Sequence, residues 1–173
     1  MSVIAGNVVA LFASLLMVGS SYVKDKVKSL WVSTIQLVFN VIAGILLGAY
    51  TAVVVNVIGI PRNILAAKDR LTRVSKVCLI VVSTVCAIAF NQHGVLGFLP
   101  VINTAIYILL LDYAKGAWFK WLTIFCLVLW AVYDCITLNF VSMSFDIASV
   151  VAAVVAVVRI LRDKNKGGDE QVA

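Results

Sequence analysis

The chain has 173 residues, of which 63% are hydrophobic and 13% charged, with a mean hydropathy of +1.09. Soluble domains average about 45–50% apolar and about 25% charged residues, and a chain this short has too little interior to hide the excess; the composition excludes a soluble domain and indicates an integral membrane protein. The formal net charge of +6 does not indicate a nucleic-acid surface, because the 14 Lys and Arg fall in four short clusters that one membrane face can hold.

The first apolar run, residues 3–23, is followed rather than preceded by Lys24, Lys26 and Lys28. A signal peptide carries its basic residues first, so this run reads as a helix entering from outside. The second span is about Ser29–Gly48 and the third about Ala49–Ala67. With almost no loop between them they must lie side by side and antiparallel. Gly44 and Gly48 form a GxxxG, a motif that packing alone explains in a chain with ten glycines.

These two spans carry the most telling polar residues. Gln36 and Asn40 share one helical face, and Asn56, Gly59 and Asn63 form a second stripe. A side-chain amide facing hydrocarbon is expensive, so both stripes should face protein or a water-filled gap. Their plain reading is interhelical hydrogen bonding; the functional one is solute contact. Pro61 frees a carbonyl one turn earlier. Arg62 reads first as an arginine snorkelling to the interface, and otherwise as a gate or substrate contact.

Lys68, Arg70, Arg73 and Lys76 make the second basic loop. A plain fourth span, about Val77–Gln92, reads as a linker and ends at the polar break Asn91-Gln92-His93-Gly94. The fifth, about Leu96–Ala114, has Pro100 near its outer end and Asn103 and Tyr107 on one face. The sixth, about Phe119–Asn139, aligns Trp130, Asp134 and Thr137. The seventh, about Val141–Leu161, carries Asp146 and Ser149, and the tail after it should be cytoplasmic and frayed. A carboxylate at mid-membrane costs roughly 2.5–3.5 kcal/mol on insertion scales, so Asp134 and Asp146 either serve a purpose or sit near the outer helix ends and touch water.

With Arg62 counted in the second, the inner segments hold three, five, two and four basic residues, and the outer loops none. That split predicts seven helices, with the N-terminus outside and the C-terminus cytoplasmic. Cys78, Cys86, Cys126 and Cys135 lie in apolar runs without a CxxC, and His93 is the lone histidine, so no metal or other cofactor is expected. HExxH, GxSxG and paired catalytic dyads are absent, so no enzyme is expected.

Shifting the first half by about ninety residues lays Gly6 on Gly97, Tyr22 and Lys24 on Tyr113 and Lys115, and, with one gap, Asn56 on Asp146. Helices 1–3 and 5–7 then run in the same senses. The expectation is an all-α, 3+1+3 parallel repeat of three-helix bundles. Residues 1–76 form the first bundle, 77–95 the linker helix, 96–162 the second bundle and 163–173 a polar tail.

The pattern Gln36, Phe39-Asn40, Gly48-Ala49-Tyr50, Asn56, Ile58-Gly59 and Arg62-Asn63 resembles the YgjV-type bacterial inner-membrane protein family. That resemblance implies a fold and a bacterial inner-membrane location more than an activity. The 3+1+3 layout is similar to the SWEET, SemiSWEET, PQ-loop and PnuC superfamily, whose members move small polar solutes. The likeness implies a substrate held by Asn56 and Asp146, with Trp130 in the aromatic position. The chain departs from that pattern in lacking a PQ dipeptide and in placing Asp146 where an amide is usual, which admits a cationic or proton-coupled substrate. The function expected is alternating-access transport of a sugar, nucleoside, amino acid or vitamin-like solute by a monomer or homo-oligomer. The alternative is a non-transporting receptor or assembly module on the same fold.

Overall fold

The computed structural model describes residues 2–47, 50–90, 98–136 and 140–169. Gly48, His93, Gly97 and Thr137 lie outside the described residues. Among those described there are seven helices and no strand: α1 (Ser2–Tyr22), α2 (Lys26–Leu47), α3 (Tyr50–Ala67), α4 (Arg73–Phe90), α5 (Leu99–Leu110), α6 (Ala117–Ile136) and α7 (Phe140–Asp169). Segments of α1, α2, α6 and α7 are long and apolar enough to cross a membrane; α3 and α5 contribute shorter apolar stretches.

Local chemistry explains where the helices turn. Asp25 caps α2, its Oδ1 accepting from the Lys28 amide at 2.8 Å, and Thr72 caps α4 through the Ser75 amide at 3.2 Å. After α3, Asp69 adopts a left-handed φ of 50°. The Arg70 amide then reaches the Leu65 carbonyl and the Asp69 amide the Ala66 carbonyl, which terminates the helix in a Schellman turn. Gly116, at φ +53°, makes the corresponding reversal before α6. Pro100, in the first turn of α5, needs no amide partner there, whereas Pro61 lies inside α3 and the helix continues through it.

Each helix packs on its chain neighbours, and α7 closes the ring by packing on α1. Ser149, Ala153 and Ala156 on α7 are fully buried, and such small side chains let backbones approach. Leu30, Ala66, Leu71, Leu111, Ala114, Phe119 and Leu122 form one apolar cluster. This cluster joins the starts of α2 and α6 to the ends of α3 and α5, so even-numbered helices begin at the end of the bundle where odd-numbered ones finish. The same end carries exposed Tyr22, Trp31, Tyr113, Trp118 and Trp121, an aromatic belt of the kind found at headgroup level. Helix α4 packs on α3 and α5 and exposes Val74, Val77, Val81, Val82, Val85 and Ile88.

Two boundaries differ from expectation. Helix α5 stops at Leu110, which leaves Asp112 in a turn rather than in the span. Helix α7 runs on to Asp169, through the start of the tail expected to fray. Its Arg159, Arg162 and Lys164 are good helix formers, and cations near a helix C-terminus favour it.

Candidate functional site

Both amide stripes face the bundle. Gln36 is 8% and Asn63 1% exposed, Gly59 is buried, and Asn40 and Asn56 are half-buried. Helical spacing aligns each stripe; the apolar flanks, such as exposed Val38 and Val57, turn the other way.

From these stripes a polar chain crosses three helices. Ser33 Oγ donates to Gln36 Oε1 at 3.3 Å, and Asn63 Nδ2 donates to Ser33 Oγ at 3.3 Å. Arg62 Nε donates to Asn63 Oδ1 at 3.0 Å, and the guanidinium lies over the Tyr107 ring, 4.6 Å from its centroid. The chain thus begins on α2, passes through α3 and ends on α5. On the next helix, the Cys126 carbonyl of α6 accepts from Asn103 Nδ2 of α5 at 3.3 Å.

Arg62 does not snorkel. Its Nη2 lies beside Gly59, one turn back along α3, and a Cβ added at Gly59 would stand 3.5 Å from it. The guanidinium therefore leans from the basic end toward the membrane middle, the direction in which helical side chains point when χ1 is relaxed. An arginine costs up to about 2.5–3.5 kcal/mol at a helix centre on insertion scales, and less toward an end, where Arg62 is rooted. A cation–π contact returns about 0.5–2 kcal/mol and a hydrogen bond within the membrane about 0.6 kcal/mol.

A second polar centre lies at the opposite end. Asp134 of α6 and Asp146 of α7 are 5% and 4% exposed, so the expectation that they touch water at the helix ends fails for both. Their carboxyl groups hydrogen-bond one another, and Ser142 adds a hydrogen bond to Asp134. No hydroxyl or amide donor reaches Asp146 Oδ2 among the described residues, and the fully buried Ser149 Oγ, one turn along α7, is likewise unpaired. Asp146 therefore meets Asp134 on the adjacent helix, a neighbour that the repeat did not pick out. Trp130 packs edge-on against Tyr133 of its own helix, with ring centroids 5.8 Å apart.

The basic end is closed by lysines placed on helix C-termini. Lys26 Nζ of α2 donates to the Leu111 carbonyl after α5. Fully buried Lys120 of α6 donates to the Ser20 carbonyl of α1 at 3.0 Å and to Ser29 Oγ at 3.2 Å. Lys76 of α4 reaches the Leu109 carbonyl and pairs with Asp112. Cations at these carbonyls satisfy free acceptors and oppose the negative helix end. Burial alone would raise the Asp112 carboxyl, but the Lys76 hydrogen bond, its positive charge and local backbone amides together hold it below the usual carboxylate range.

Gln36, Asn63, Arg62 and Tyr107 are thus brought into one chain, with Asn103 close by across Cys126. Asp134 and Asp146 form a separate centre, and Pro61 is exposed while Pro100 is buried near the start of α5. Sequence reasoning missed Ser33, Cys126 and the lysine caps. Lys120 carried a signal: it stands within the apolar run of α6 rather than in the loop before it. Two clefts are described, one beside Arg73 and Val77 and one between the outer faces of α6 and α7; neither is lined by Asn56 or Asp146.

The model of the family described as bacterial inner membrane protein, Imp-YgjV, matches residues 4–164. No curated protein and no solved structure matches the chain.

Proposed function

The chain belongs to the Imp-YgjV family of bacterial inner membrane proteins, and from that premise we propose that it carries a small polar solute across the inner membrane by alternating access. The observation that supports this most is the chain Gln36–Ser33–Asn63–Arg62–Tyr107, which places hydrogen-bonding groups across the seam between α2–α3 and α5. A protein built only to sit in lipid gains little from charged and amide groups there, whereas a solute path needs them.

In this reading α1–α3 and α5–α7 are parallel repeats, with the basic end cytoplasmic. The lysine caps support it by their reciprocity. Lys26, early in α2, caps the end of α5; Lys120, early in α6, caps the end of α1. Exchanging the triplets exchanges the two contacts. Rocking the triplets apart would break both caps and open the cytoplasmic side, while the Asp134–Asp146 pair carries the linked proton at the other end. The full chain in liposomes should admit a polar solute faster than protein-free liposomes, with uptake that depends on pH. If Asp146→Asn leaves uptake unchanged across pH, the proton does not travel through this pair.

One observation favours a non-transporting receptor or assembly module instead: the clefts described lie on outward faces and not at the seam. Solute entry above the protein-free background discards that reading.

A further inference from the structure

The geometry points to a small organic anion that also carries a hydroxyl or ammonium donor as the solute, anchored by the Arg62 guanidinium. This rests on the carrier reading and narrows it to a substrate class.

A guanidinium keeps its charge at any working pH and presents five N–H donors in a planar fork. In Arg62, Nε is used by Asn63 and one face by the Tyr107 ring. The ion pairs among the described residues, Lys24 with Asp163 and Lys76 with Asp112, both lie at the basic end and involve neither Arg62 nor its neighbours. The guanidinium therefore has no carboxylate counter-charge among the described residues, although it leans away from the interface where water and headgroups could supply one. The side chain remains partly accessible. Its two Nη groups meet no acceptor among the described residues, and neither is buried without a partner. The edge of the fork that would grip a carboxylate or phosphate with two parallel hydrogen bonds is the edge left open.

A second observation is independent of the arginine. Asn103 is 3% exposed, and its Oδ1 is buried without a hydrogen-bond partner. Its Nδ2 is tied to the Cys126 carbonyl, so the amide is oriented with its acceptor free. Asn103 is one turn from Tyr107 on the same face of α5, and the Tyr107 ring carries the guanidinium, while the Cys126 carbonyl of α6 holds the asparagine. The open donors and the orphaned acceptor thus belong to one corner of α3, α5 and α6. A neutral polyol would leave the charge unanswered. A simple cation would satisfy Asn103 and be repelled by Arg62. A hydroxy acid or an amino acid satisfies both, and Asn103 Oδ1 becomes reachable as the seam opens.

The test is thermal stability of the purified full chain in detergent, with glycolate, glycine, inorganic phosphate, glycerol, ethanolamine and chloride as probes at matched millimolar ionic strength. Glycolate and glycine should raise the melting temperature above the chloride control, and glycerol and ethanolamine should not. Stabilisation by phosphate alone would contradict the carboxylate part of the class, and so overturn the proposal. Arg62→Gln should weaken glycolate binding about tenfold or more, the loss of a charge-assisted pair of hydrogen bonds. If that variant does not fold, Arg62→Lys decides: it keeps the charge without the fork, so binding persists but weakens. Stabilisation by glycerol equal to that by glycolate, binding unchanged in both arginine variants, or no stabilisation by any anion overturns the proposal. Binding needs no turnover, so the two readings fail separately. Anion binding without uptake removes the carrier and leaves the site. Uptake of neutral solutes without anion binding removes the site and leaves the carrier.

Discussion

Lys120 and Ser20, a hundred positions apart, meet through a 3.0 Å hydrogen bond from a fully buried ammonium to a helix-terminal carbonyl. Lys26 makes the counterpart contact to Leu111, but from a half-buried position. Hydrogen bonds to charged groups contribute about 1.5–3 kcal/mol, and the buried lysine should lie at the upper end. Lys120→Ala should therefore lower stability in detergent by about 3 kcal/mol, and Lys26→Ala by clearly less. Chemical denaturation of the two variants checks the ranking; equal losses would contradict it.

Asp25 caps α2 through the Lys28 amide at an exposed turn. Asp25→Ala should cost about 1 kcal/mol, and Asp25→Ser or Asp25→Asn much less, because those side chains also accept the amide. The same denaturation series reads the difference.

The Asp112 carboxyl is held below its usual range in the folded protein, so the unfolded chain binds the proton more readily there. The stability it contributes is complete above the ordinary aspartate range, near pH 4, and is lost as pH falls through the lower folded value. The pair with Lys76 is partly exposed, and coupling should stay under about 1 kcal/mol. A Lys76/Asp112 double-mutant cycle should show coupling at pH 7 that vanishes well below pH 4. Coupling unchanged in acid would contradict the pairing.

The orientation proposed puts both the basic end and the C-terminus in the cytoplasm. A fluorescent protein fused after Ala173 should mature and fluoresce, and alkaline phosphatase fused there should stay inactive. The opposite pair of results would reverse the bundle.

Much of this was legible in the sequence for a physical reason. Helical spacing alone puts Gln36 with Asn40, and Asn56 with Gly59 and Asn63, and hydrocarbon forbids such stripes from facing outward; both face the bundle. What was not legible depends on which helix lies beside which. Asp146 was matched to Asn56 by repeat position, but helix packing sets it beside Asp134. Arg62 looked like an interfacial arginine because it stands near the end of α3. Only the approach of its Nη2 to Gly59 and the ring of Tyr107, on a helix distant in sequence, reveal that it folds inward. Lys26 and Lys120 were counted as topology charges, and nothing local names the distant helix end that each will cap.

The most direct measurement of the central claim is uptake of a labelled polar-solute panel by liposomes containing the full chain, alongside Asn63→Leu, which cuts the polar chain at its middle. The account predicts entry of at least one solute well above protein-free liposomes, and its loss in Asn63→Leu. No solute entering above background, or undiminished entry in that variant, would contradict it.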